Sequence, residues 1–459
     1  MAVKRVVVMK FGGTSVGDAT AISRVVDIVA QAKGWHRQPV VVVSAISGAT
    51  SMLLEVAELA AQMKLDEALI KLDHLLERHA LIVDELQLKD AHQTINVYFE
   101  ELESICRGIA LIGKTDRSLD AMASFGERLS SFILAEAMKK HGLSVVLVDA
   151  RTVIITDNHF TGATPLVGRI EETAKSIIWP HLSNSIVVTQ GFIGATVDGI
   201  VTTLGRGGSD YSAALLGSAI NAEEIQIWTD VDGMLTCDPR IADGGHRVKV
   251  ISFDEAAELA YFGAKVLHPS TVWPALEKSI PVLILNSRRP EEGEGTRIVS
   301  GPITCSNVAK SIACKQHITV LNIHSTRMLM AYGFLRRIFE VFDRFETPVD
   351  MVTTSEVSVS LTIDNLNKID SIVDELRQFA EVTVNLDQAI VCLVGDGIHS
   401  ASNVSARVFG ALGDINVRMI SQGASRLNLS LVVNEADLKC SVELLHTEFF
   451  SELDPTVFG

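Results

Sequence analysis

Two glycine-rich turns, each placed after a predicted strand, constrain this chain more than any other feature. The first is KFGGTS at residues 10–15, and the second lies in TTLGRGGSD at residues 202–210, before a segment of helical composition. Glycines let backbone N–H groups approach an anion closely, and the start of a helix favours negative charge. Ser209 or Asp210 is expected to cap that helix. One such turn fits an ordinary strand-to-helix connection, but two of them predict a phosphate-handling enzyme.

Runs of β-branched and other apolar residues predict strands that are buried on both faces of a mainly parallel sheet. These runs lie at residues 6–9, 40–43, 145–148, 186–189, 225–228 and 281–285. Residues 20–32 have helical spacing, which completes a βαβ unit, and residues 52–142 predict a long helix-rich excursion. Polar segments follow several of the strands, at the edge where open α/β sheets bind ligands. The fold class predicted for this part of the chain is α/β.

Beyond the charged, glycine-containing segment 291–295 the pattern changes to short alternating elements. Strands are predicted at residues 318–323, 349–352 and 357–363, with a helix near residues 333–345. The same order recurs with strands at 389–394, 417–420 and 427–433 and a helix near 403–412. This recurrence predicts a tandem repeat of a small α+β module. Pairing of the modules would cover exposed strand edges and form effector pockets and a subunit interface, with a plain dimerisation domain as the alternative.

Composition narrows the class of partner. The chain has 40 basic and 56 acidic residues and a formal net charge of −16, which argues against non-specific binding to nucleic acid or to anionic membranes. A polyanionic substrate would therefore need local lysines and arginines. The six cysteines form no CxxC pair, and the apolar run near the N-terminus is too short for a signal peptide. A cytoplasmic protein with reduced thiols is expected.

Four motifs taken together resemble aspartate kinase: KFGGTS at 10–15, TLGRGGSD at 203–210, WTDVDG at 228–233 and FGAKVLHP at 262–269. The resemblance extends over essentially the whole chain, because the tandem repeats resemble paired ACT modules. TTSEVSVS at 353–360 resembles the monofunctional, lysine-sensitive class. The resemblance implies an amino-acid kinase fold, a mainly parallel sheet sandwiched by helices, over residues 1–300. Two α+β ferredoxin-like ACT modules would follow, at residues 301–385 and 386–459.

The resemblance also implies the reaction, which converts ATP and L-aspartate into ADP and 4-phospho-L-aspartate. This reaction would be the first step in the biosynthesis of lysine, threonine and methionine. The β-carboxylate of aspartate is already ionised at neutral pH, so the enzyme must supply positioning and charge neutralisation rather than a base. Lys10 and Asp210 are the implied catalytic residues. Magnesium is expected to arrive with the ATP phosphates, without a direct protein ligand.

The implied binding residues fall into three sets. Aspartate would be held by Gly13, Ser44, Thr50, Glu127, Arg206 and Ser209. The nucleotide would be held by Gly12, Gly207, Gly208, Thr229, Asp230, Leu235, Arg240, Lys265 and Val266. L-Lysine, the expected allosteric inhibitor, would be held by Met328, Gly333, Phe334, Leu335, Val349, Asp350, Thr354, Ser355 and Glu356. A homodimer through the ACT modules is expected, and a tetramer is left open.

Some alternatives remain open at this point. Glu127 and Arg128 fit an ion pair on a solvated helix face as well as a functional role, and Lys265 fits a favourable position at the end of a helix. Another amino-acid kinase, such as a glutamate or acetylglutamate kinase, is the second enzyme class. A catalytically silent amino-acid sensor built on the same modules is the third interpretation.

Overall fold

The computed structural model describes residues 5–35, 37–263, 271–292, 294–325 and 332–459. The strands are β1 Arg5–Phe11, β2 Arg37–Val43, β3 Val145–Val148, β4 Ile155–Thr156, β5 Ile186–Gln190, β6 Ile193–Thr196, β7 Val201–Thr203, β8 Glu224–Thr229, β9 Val250–Ser252, β10 Val282–Asn286, β11 Thr296–Val299, β12 Ser311–His324, β13 Val352–Thr354, β14 Ser358–Ile363, β15 Glu381–Val394, β16 Met419–Gln422 and β17 Asn428–Asn434.

The helices are α1 Ala19–Gly34, α2 Ala49–Ala61, α3 Leu65–Glu85, α4 Ala91–Ile112, α5 Asp116–Lys140, α6 Val167–Thr173, α7 Gly208–Ala219, α8 Phe253–Tyr261, α9 Trp273–Glu277, α10 Phe334–Arg344, α11 Ile369–Leu376, α12 Val404–Leu412 and α13 Leu438–Phe450. The chain divides into two compact units, one of Met1–Met234 with Val266–Gly301 and one of Leu235–Lys265 with Pro302–Gly459. In the described part of the chain no helix combines the length and apolar character that a membrane crossing requires.

The first unit is built on a twisted sheet whose strands follow the order β3-β5-β2-β1-β8-β10-β11. All neighbouring pairs except β10 and β11 are parallel. The inner strands β1 and β2 bury almost all of their Val side chains, as the uninterrupted apolar runs predicted. A small second sheet, β4-β6-β7, contains the hairpin that leads to the second glycine-rich turn. The α/β fold predicted from the sequence is confirmed.

The helix-rich excursion consists of α2, α3, α4 and α5. Each helix buries one face against a common apolar core, to which Leu53, Leu75, Ile95 and Leu129 contribute fully buried side chains. The helical spacing of these apolar residues predicted the helices, and their burial stabilises all four of them. The longest, α5, starts at a capping box formed by Thr115 and Ser118. It runs for 25 residues and carries Glu127 into the interior.

The second unit contains an antiparallel sheet in the order β13-β14-β12-β15-β17-β16. The strands β12 and β15, of 14 residues each, pair with each other at the centre, so the two α+β repeats lie side by side in one sheet. The tandem repeat predicted from the sequence is present. The predicted division between the modules, after residue 385, falls inside β15, and the domain boundaries remain predictions.

Three details of the repeats were predicted wrongly. The strand expected at 349–352 begins only at Val352, and β12 begins at Ser311 rather than at 318 because its first half pairs with the end of β15. The helices α11 and α13 were not predicted at all. Neither has a side-chain hydrogen bond that caps its start, although Asp437 at the N-cap of α13 and Asp370 in the first turn of α11 are helix-start signals in the sequence.

Candidate active site

The carboxyl ends of β1, β2, β5 and β8 lie at one edge of the first unit's sheet, because these strands are parallel. The end of β1, the turns that follow β2 and β5, helix α5 and the starts of α2 and α7 enclose a cavity of about 240 Å³. Its lining residues are Lys10, Ser44, Thr50, Glu127, Phe192, Gly205, Gly207, Gly208, Ser209 and Asp210. Eight of these ten were predicted as site residues, so the sequence identified most of the cavity.

An ion pair lies in this cavity. The Lys10 Nζ is 2.6 Å from the Asp210 Oδ1, and the two side chains are only 11% and 15% exposed. Lys10 lies on β1, between Val42 of β2 and Ile227 of β8, so two rigid strands fix its backbone. Partial burial strengthens the electrostatic effect of the ammonium on a ligand anion, while Asp210 holds the ammonium in place.

The second glycine-rich turn starts helix α7 earlier than the sequence suggested. Gly205 and Gly207 both have φ of +72°, a left-handed conformation that favours glycine, and Gly207 is the N-cap of a helix that begins at Gly208. The prediction that Ser209 or Asp210 caps the helix is therefore wrong, because both residues lie in its first turn. This placement leaves the Asp210 carboxylate available for Lys10. The N–H groups of the first turn have no acceptor within the helix and favour an anion.

The first glycine-rich turn packs tightly on neighbouring backbone. The Gly12 N–H donates to the Trp228 carbonyl at 3.1 Å, and the Ser47 N–H donates to the Gly13 carbonyl at 3.2 Å. A Cβ atom on Gly13 would lie 2.7 Å from the Ala45 carbonyl oxygen, so only glycine fits there. A Cβ atom on Gly12 would lie 3.8 Å from the Lys10 Nζ. The turn thus brings backbone close to the Lys10 ammonium.

Glu127 supplies a buried carboxylate. It is 3% exposed, its Oε1 accepts a hydrogen bond from the Ala45 N–H at 3.1 Å, and its Oε2 has no partner among the described residues. Burial raises the pKa of Glu127 from the ordinary 4.5 to about 8. A Cβ on Gly126 would lie 2.7 Å from the Ala45 Cβ, so glycine lets α5 approach this turn. A cationic ligand group such as an ammonium would satisfy the free oxygen.

The alternative interpretation of Glu127 and Arg128 as a local ion pair is wrong. The Arg128 guanidinium pairs with Glu101 at 3.1 Å and lies over the rings of Tyr98 and Phe125. It thus points to the α4 side of the helix, and Glu127 lines the cavity instead.

Ser44 and Thr50 lie in the turn after β2 and in the first turn of α2. The Ser130 hydroxyl donates to the Ser44 carbonyl at 2.8 Å and ties this turn to α5. Helix α2 begins after Gly48, whose φ is +82°, and has no side-chain cap. Two helix N-termini without side-chain caps, those of α2 and α7, therefore contribute residues to one cavity, an arrangement that favours negative charge.

Arg206 is exposed between Gly205 and Gly207 and forms no ion pair with any residue of the described ranges. Its two glycine neighbours line the cavity. A permanently charged, planar guanidinium in this position suits a ligand carboxylate. Its assignment to aspartate remains a prediction.

The residues predicted to hold the nucleotide are only partly in this cavity. Thr229 ends β8, its hydroxyl donates to the Asp230 carboxylate at 3.3 Å, and Asp230 lies 3.8 Å from the Arg288 guanidinium. Leu235 and Arg240 belong to the second unit, where the Arg240 guanidinium pairs with Asp238. Lys265 and Val266 lie outside the described residues. The nucleotide assignments remain predictions.

Sequence reasoning missed two groups. The first group consists of Phe192 and Gly205, which line the cavity. Phe192 follows β5 and has a φ of +65°. The sequence QGF at residues 190–192, a turn after a strand, was the signal that could have identified it. Asp120, which is fully buried on α5, accepts hydrogen bonds from Thr161 and Thr203 next to the second glycine-rich turn. No sequence pattern marked this contact, because it joins residues 83 positions apart.

The described residues among those predicted to bind an effector lie in three places of the second unit: the start of α10, the segment before β13, and the end of β13 with the turn that follows it. Gly333 is the left-handed N-cap of α10, Phe334 is buried and Leu335 is exposed. Val349 and Asp350 precede β13, Thr354 ends it, and Ser355 and Glu356 are exposed in the turn that follows. Met328 lies outside the described residues.

One of the two acidic residues predicted to bind the effector, Asp350, is already paired with a lysine of the second unit. The Lys315 Nζ lies 2.7 Å from Asp350 Oδ1 and 2.8 Å from Asp364 Oδ2. Burial raises the pKa of Asp350, whereas its hydrogen bond with Lys315 acts in the opposite direction. Asp350 already has an internal cation, so Glu356 is the better placed of the two acidic residues to recognise a cationic effector.

Comparisons with known proteins agree with this architecture. Residues 5–286 match the amino acid kinase family, and residues 391–449 match the ACT domain. The chain is 40% identical to aspartokinase 1, chloroplastic, of Arabidopsis thaliana, covering 97% of this chain and 80% of that one. It is 37% identical to lysine-sensitive aspartokinase 3 of Escherichia coli, over 97% of this chain and 99% of that one.

Two solved structures match over nearly the whole length. The crystal structure of E. coli aspartokinase III in complex with aspartate and ADP, in the R-state, matches with a TM-score of 0.82 and 36% identity, covering 97% of this chain and 100% of that one. The same enzyme in complex with lysine and aspartate, in the T-state, matches with a TM-score of 0.84 and 36% identity, covering 97% of this chain and 99% of that one.

Proposed function

Because this chain belongs to the amino acid kinase family and, within it, to the aspartokinases, we propose that it transfers the γ-phosphoryl group of ATP to the β-carboxylate of L-aspartate. The products are ADP and 4-phospho-L-aspartate. The proposal rests on one observation, the cavity in which Lys10, the α2 and α7 N-termini and the Glu127 carboxylate converge. The E. coli relative solved with aspartate and ADP supports the choice of both substrates.

The cavity is complementary to a zwitterionic amino acid. Glu127 Oε2 would accept a hydrogen bond from the ammonium of aspartate, and Arg206 would bind its α-carboxylate through two parallel hydrogen bonds. The β-carboxylate would then face Lys10. Ser44, Thr50 and Ser209 line the same cavity and would supply hydroxyl groups to the bound substrate.

The chemical step needs no base. An oxygen of the ionised β-carboxylate attacks the γ-phosphorus, and the bond between that phosphorus and the β,γ-bridging oxygen breaks, so that ADP takes up the electron pair. Lys10, held by Asp210, neutralises charge on the phosphoryl oxygens during transfer. The N–H groups at the start of α7 stabilise the same charge.

Magnesium would enter with ATP and neutralise phosphate charge. Among the described residues there is no group of three or more His, Cys, Asp or Glu side chains that could hold a metal ion. Coordination by the nucleotide phosphates remains the prediction for this ion.

Regulation by L-lysine is proposed for the second unit. The E. coli relative is named lysine-sensitive, and one of its structures contains lysine. The exposed Glu356 carboxylate and the start of α10 are the groups proposed to recognise the effector. A homodimer through the ACT modules, a place at the start of lysine, threonine and methionine biosynthesis and a cytoplasmic location stay predictions.

The test is ADP release, coupled to a spectrophotometric assay, with ATP, magnesium and L-aspartate. L-Glutamate and N-acetyl-L-glutamate serve as the comparison substrates, because they are the acceptors of the second enzyme class. Turnover that requires L-aspartate and falls when L-lysine is added is the expected result. Turnover with either comparison substrate at a higher kcat/KM than with L-aspartate would overturn the proposal.

A further inference from the structure

Asp120 is a buried carboxylate that the proposed chemistry does not use. It lies on α5 seven residues before Glu127, a spacing of about two helical turns that places both residues on one face of the helix. Its side chain is 1% exposed. A buried carboxylate is unfavourable unless it is well hydrogen-bonded, so its partners indicate what it does.

Three donors from two separate segments, the end of β7 and the turn at Thr161, converge on Asp120. Its Oδ1 accepts a hydrogen bond from the Thr203 hydroxyl at 2.7 Å, and its Oδ2 accepts one from the Thr203 N–H at 3.0 Å. The Thr161 N–H lies 3.1 Å from Oδ1 and 3.0 Å from Oδ2. Burial raises the pKa of Asp120, and these hydrogen bonds act against that rise.

These two segments meet at Gly205, a residue of the cavity. Thr203 begins the segment that contains Gly205, Arg206 and Gly207, and Thr161 has φ of +68°, unusual for a β-branched residue. The Thr161 carbonyl oxygen would lie 3.4 Å from a Cβ atom on Gly205. Asp120 therefore holds Thr161 in a strained conformation directly against the glycine-rich turn.

We propose that Asp120 is a positioning residue that fixes the separation between Glu127 and Arg206. Helix α5 carries Glu127, the proposed partner of the substrate ammonium, and through Asp120 it anchors the turn that carries Arg206, the proposed partner of the α-carboxylate. One helix thus sets the distance between the two groups that hold the two ends of the amino acid. This inference rests on the proposed function.

Three converging donors favour a carboxylate here, because each of its oxygens only accepts. Asn at position 120 keeps the shape, but its amide group replaces one acceptor by a donor, which would face the N–H of Thr203 or Thr161. The unpaired groups would then push the turn away from α5. A shift of about 1 Å in a positioning element can reduce turnover by ~10²-fold, so even a small movement of Arg206 is measurable.

The test compares kinetic constants for the two substrates in the full-length enzyme. Asp120→Asn is expected to raise the KM for L-aspartate at least ~10-fold and to weaken the preference for L-aspartate over L-glutamate, with the KM for ATP changed less than ~2-fold. Asp116→Asn, at an exposed carboxylate one turn earlier on the same helix, is the matched control and should match wild type. A KM for L-aspartate that stays at the wild-type value in Asp120→Asn would overturn the proposal.

A second pair of variants decides the case if Asp120→Asn does not fold. Thr203→Val removes the hydroxyl that donates to Asp120, and Thr203→Ser keeps it. A raised KM for L-aspartate in the Val variant, restored in the Ser variant, is expected. The same KM for L-aspartate in the Val and Ser variants would refute the positioning role of Asp120. The proposed function would be unaffected by that result as long as the wild-type enzyme turns over L-aspartate. Absence of that wild-type turnover would instead refute the proposed function.

Discussion

The Lys10 ammonium lies 2.6 Å from the Asp210 carboxylate, although the two residues come from different glycine-rich turns of the sequence. The parallel pairing of β1 with β8 and the early start of α7 bring them together. The pair places a positive charge where the N-termini of two helices meet. A pair with this geometry is suited to phosphoryl transfer, because the carboxylate fixes the ammonium before the substrates arrive.

Removal of the Lys10 ammonium should abolish most of the turnover without unfolding the enzyme. Lys10→Met is expected to lower kcat by ~10²–10³-fold, because the charge on the phosphoryl oxygens loses a preorganised cation. Lys89→Met, at an exposed lysine in a turn of the helical excursion, is the control. Steady-state ADP release measures the effect, and thermal melting checks the fold. The double variant Lys10→Met/Asp210→Asn should have a kcat only slightly below that of Lys10→Met alone, because the two residues act as a unit.

The two glycines of the first turn should respond differently to alanine. A Cβ on Gly13 would lie 2.7 Å from a backbone oxygen that cannot move freely, whereas on Gly12 the nearest atoms are 3.6 and 3.8 Å away, which is ordinary contact. Gly13→Ala is therefore expected to destabilise the enzyme by about 1–3 kcal/mol and to reduce kcat/KM for L-aspartate at least ~10-fold. Gly12→Ala should retain the wild-type stability.

Chemical denaturation of both variants provides the free energies of unfolding. Gly13→Ala is expected to be the less stable of the two variants, and a Gly13→Ala enzyme as stable as Gly12→Ala would contradict the close packing of this turn on the Ala45 carbonyl.

Much of this site could be predicted from the sequence because its parts are local. Strands buried on both faces give continuous apolar runs, and glycine-rich turns after such strands mark the carboxyl edge of a parallel sheet. The positions of Lys10 and Ser44 directly after two such runs were therefore enough to assign both residues to that edge. The resemblance to a known family then selected the remaining residues of the cavity.

What could not be predicted depends on contacts between distant segments. A glutamate on a helix gives no sign of its burial, so the sequence left Glu127 ambiguous, and the packing of α5 against the turn at Ala45 decides its role. Asp120 was missed because its partners lie far away in the sequence. The capping prediction failed at Gly207, whose left-handed conformation moves the helix start two or three residues earlier.

The effector response should depend on Glu356 more directly than on Asp350. Asp350 is paired with Lys315, while Glu356 is exposed in the turn between β13 and β14. Glu356→Gln is expected to raise the L-lysine concentration for half-inhibition by at least ~10-fold, since a charge-assisted hydrogen bond contributes roughly 1.5–3 kcal/mol. Turnover without lysine should not change. Inhibition curves at fixed substrate concentrations measure the shift.

Glu346→Gln is the matched control for that variant. Glu346 is an exposed glutamate in the turn that follows α10, outside the residues predicted to bind the effector. The role of Glu356 would be excluded if both variants had the same half-inhibiting concentration as the wild type.

The raised pKa of Glu127, about 8 against an ordinary 4.5, predicts a pH dependence for substrate binding. In the free enzyme at pH 7 the carboxyl group is largely protonated, but the ammonium of L-aspartate requires it ionised. Substrate binding should therefore release a proton near pH 7, and the KM for L-aspartate should fall as the pH rises from 7 to 8.5. Calorimetric titrations in two buffers of different ionisation enthalpy count the released proton. Glu127→Gln should remove both the proton release and the pH dependence, and should raise the KM at every pH.

The same group should make stability depend on pH, with a sign that follows from the raised pKa. Between pH 4.5 and about pH 8 the folded state keeps the proton on Glu127, whereas the unfolded state loses it. The folded state therefore binds more protons in this pH range. The contribution of Glu127 to stability is then fully present below its pKa in the unfolded state, 4.5, and is lost as the pH rises through its pKa in the folded state, about 8. The free energy of unfolding of wild type relative to Glu127→Gln should fall across this window. A difference that stays constant from pH 5 to 8 would show that Glu127 is ionised in the free enzyme, and that the ammonium of L-aspartate meets a carboxylate already charged.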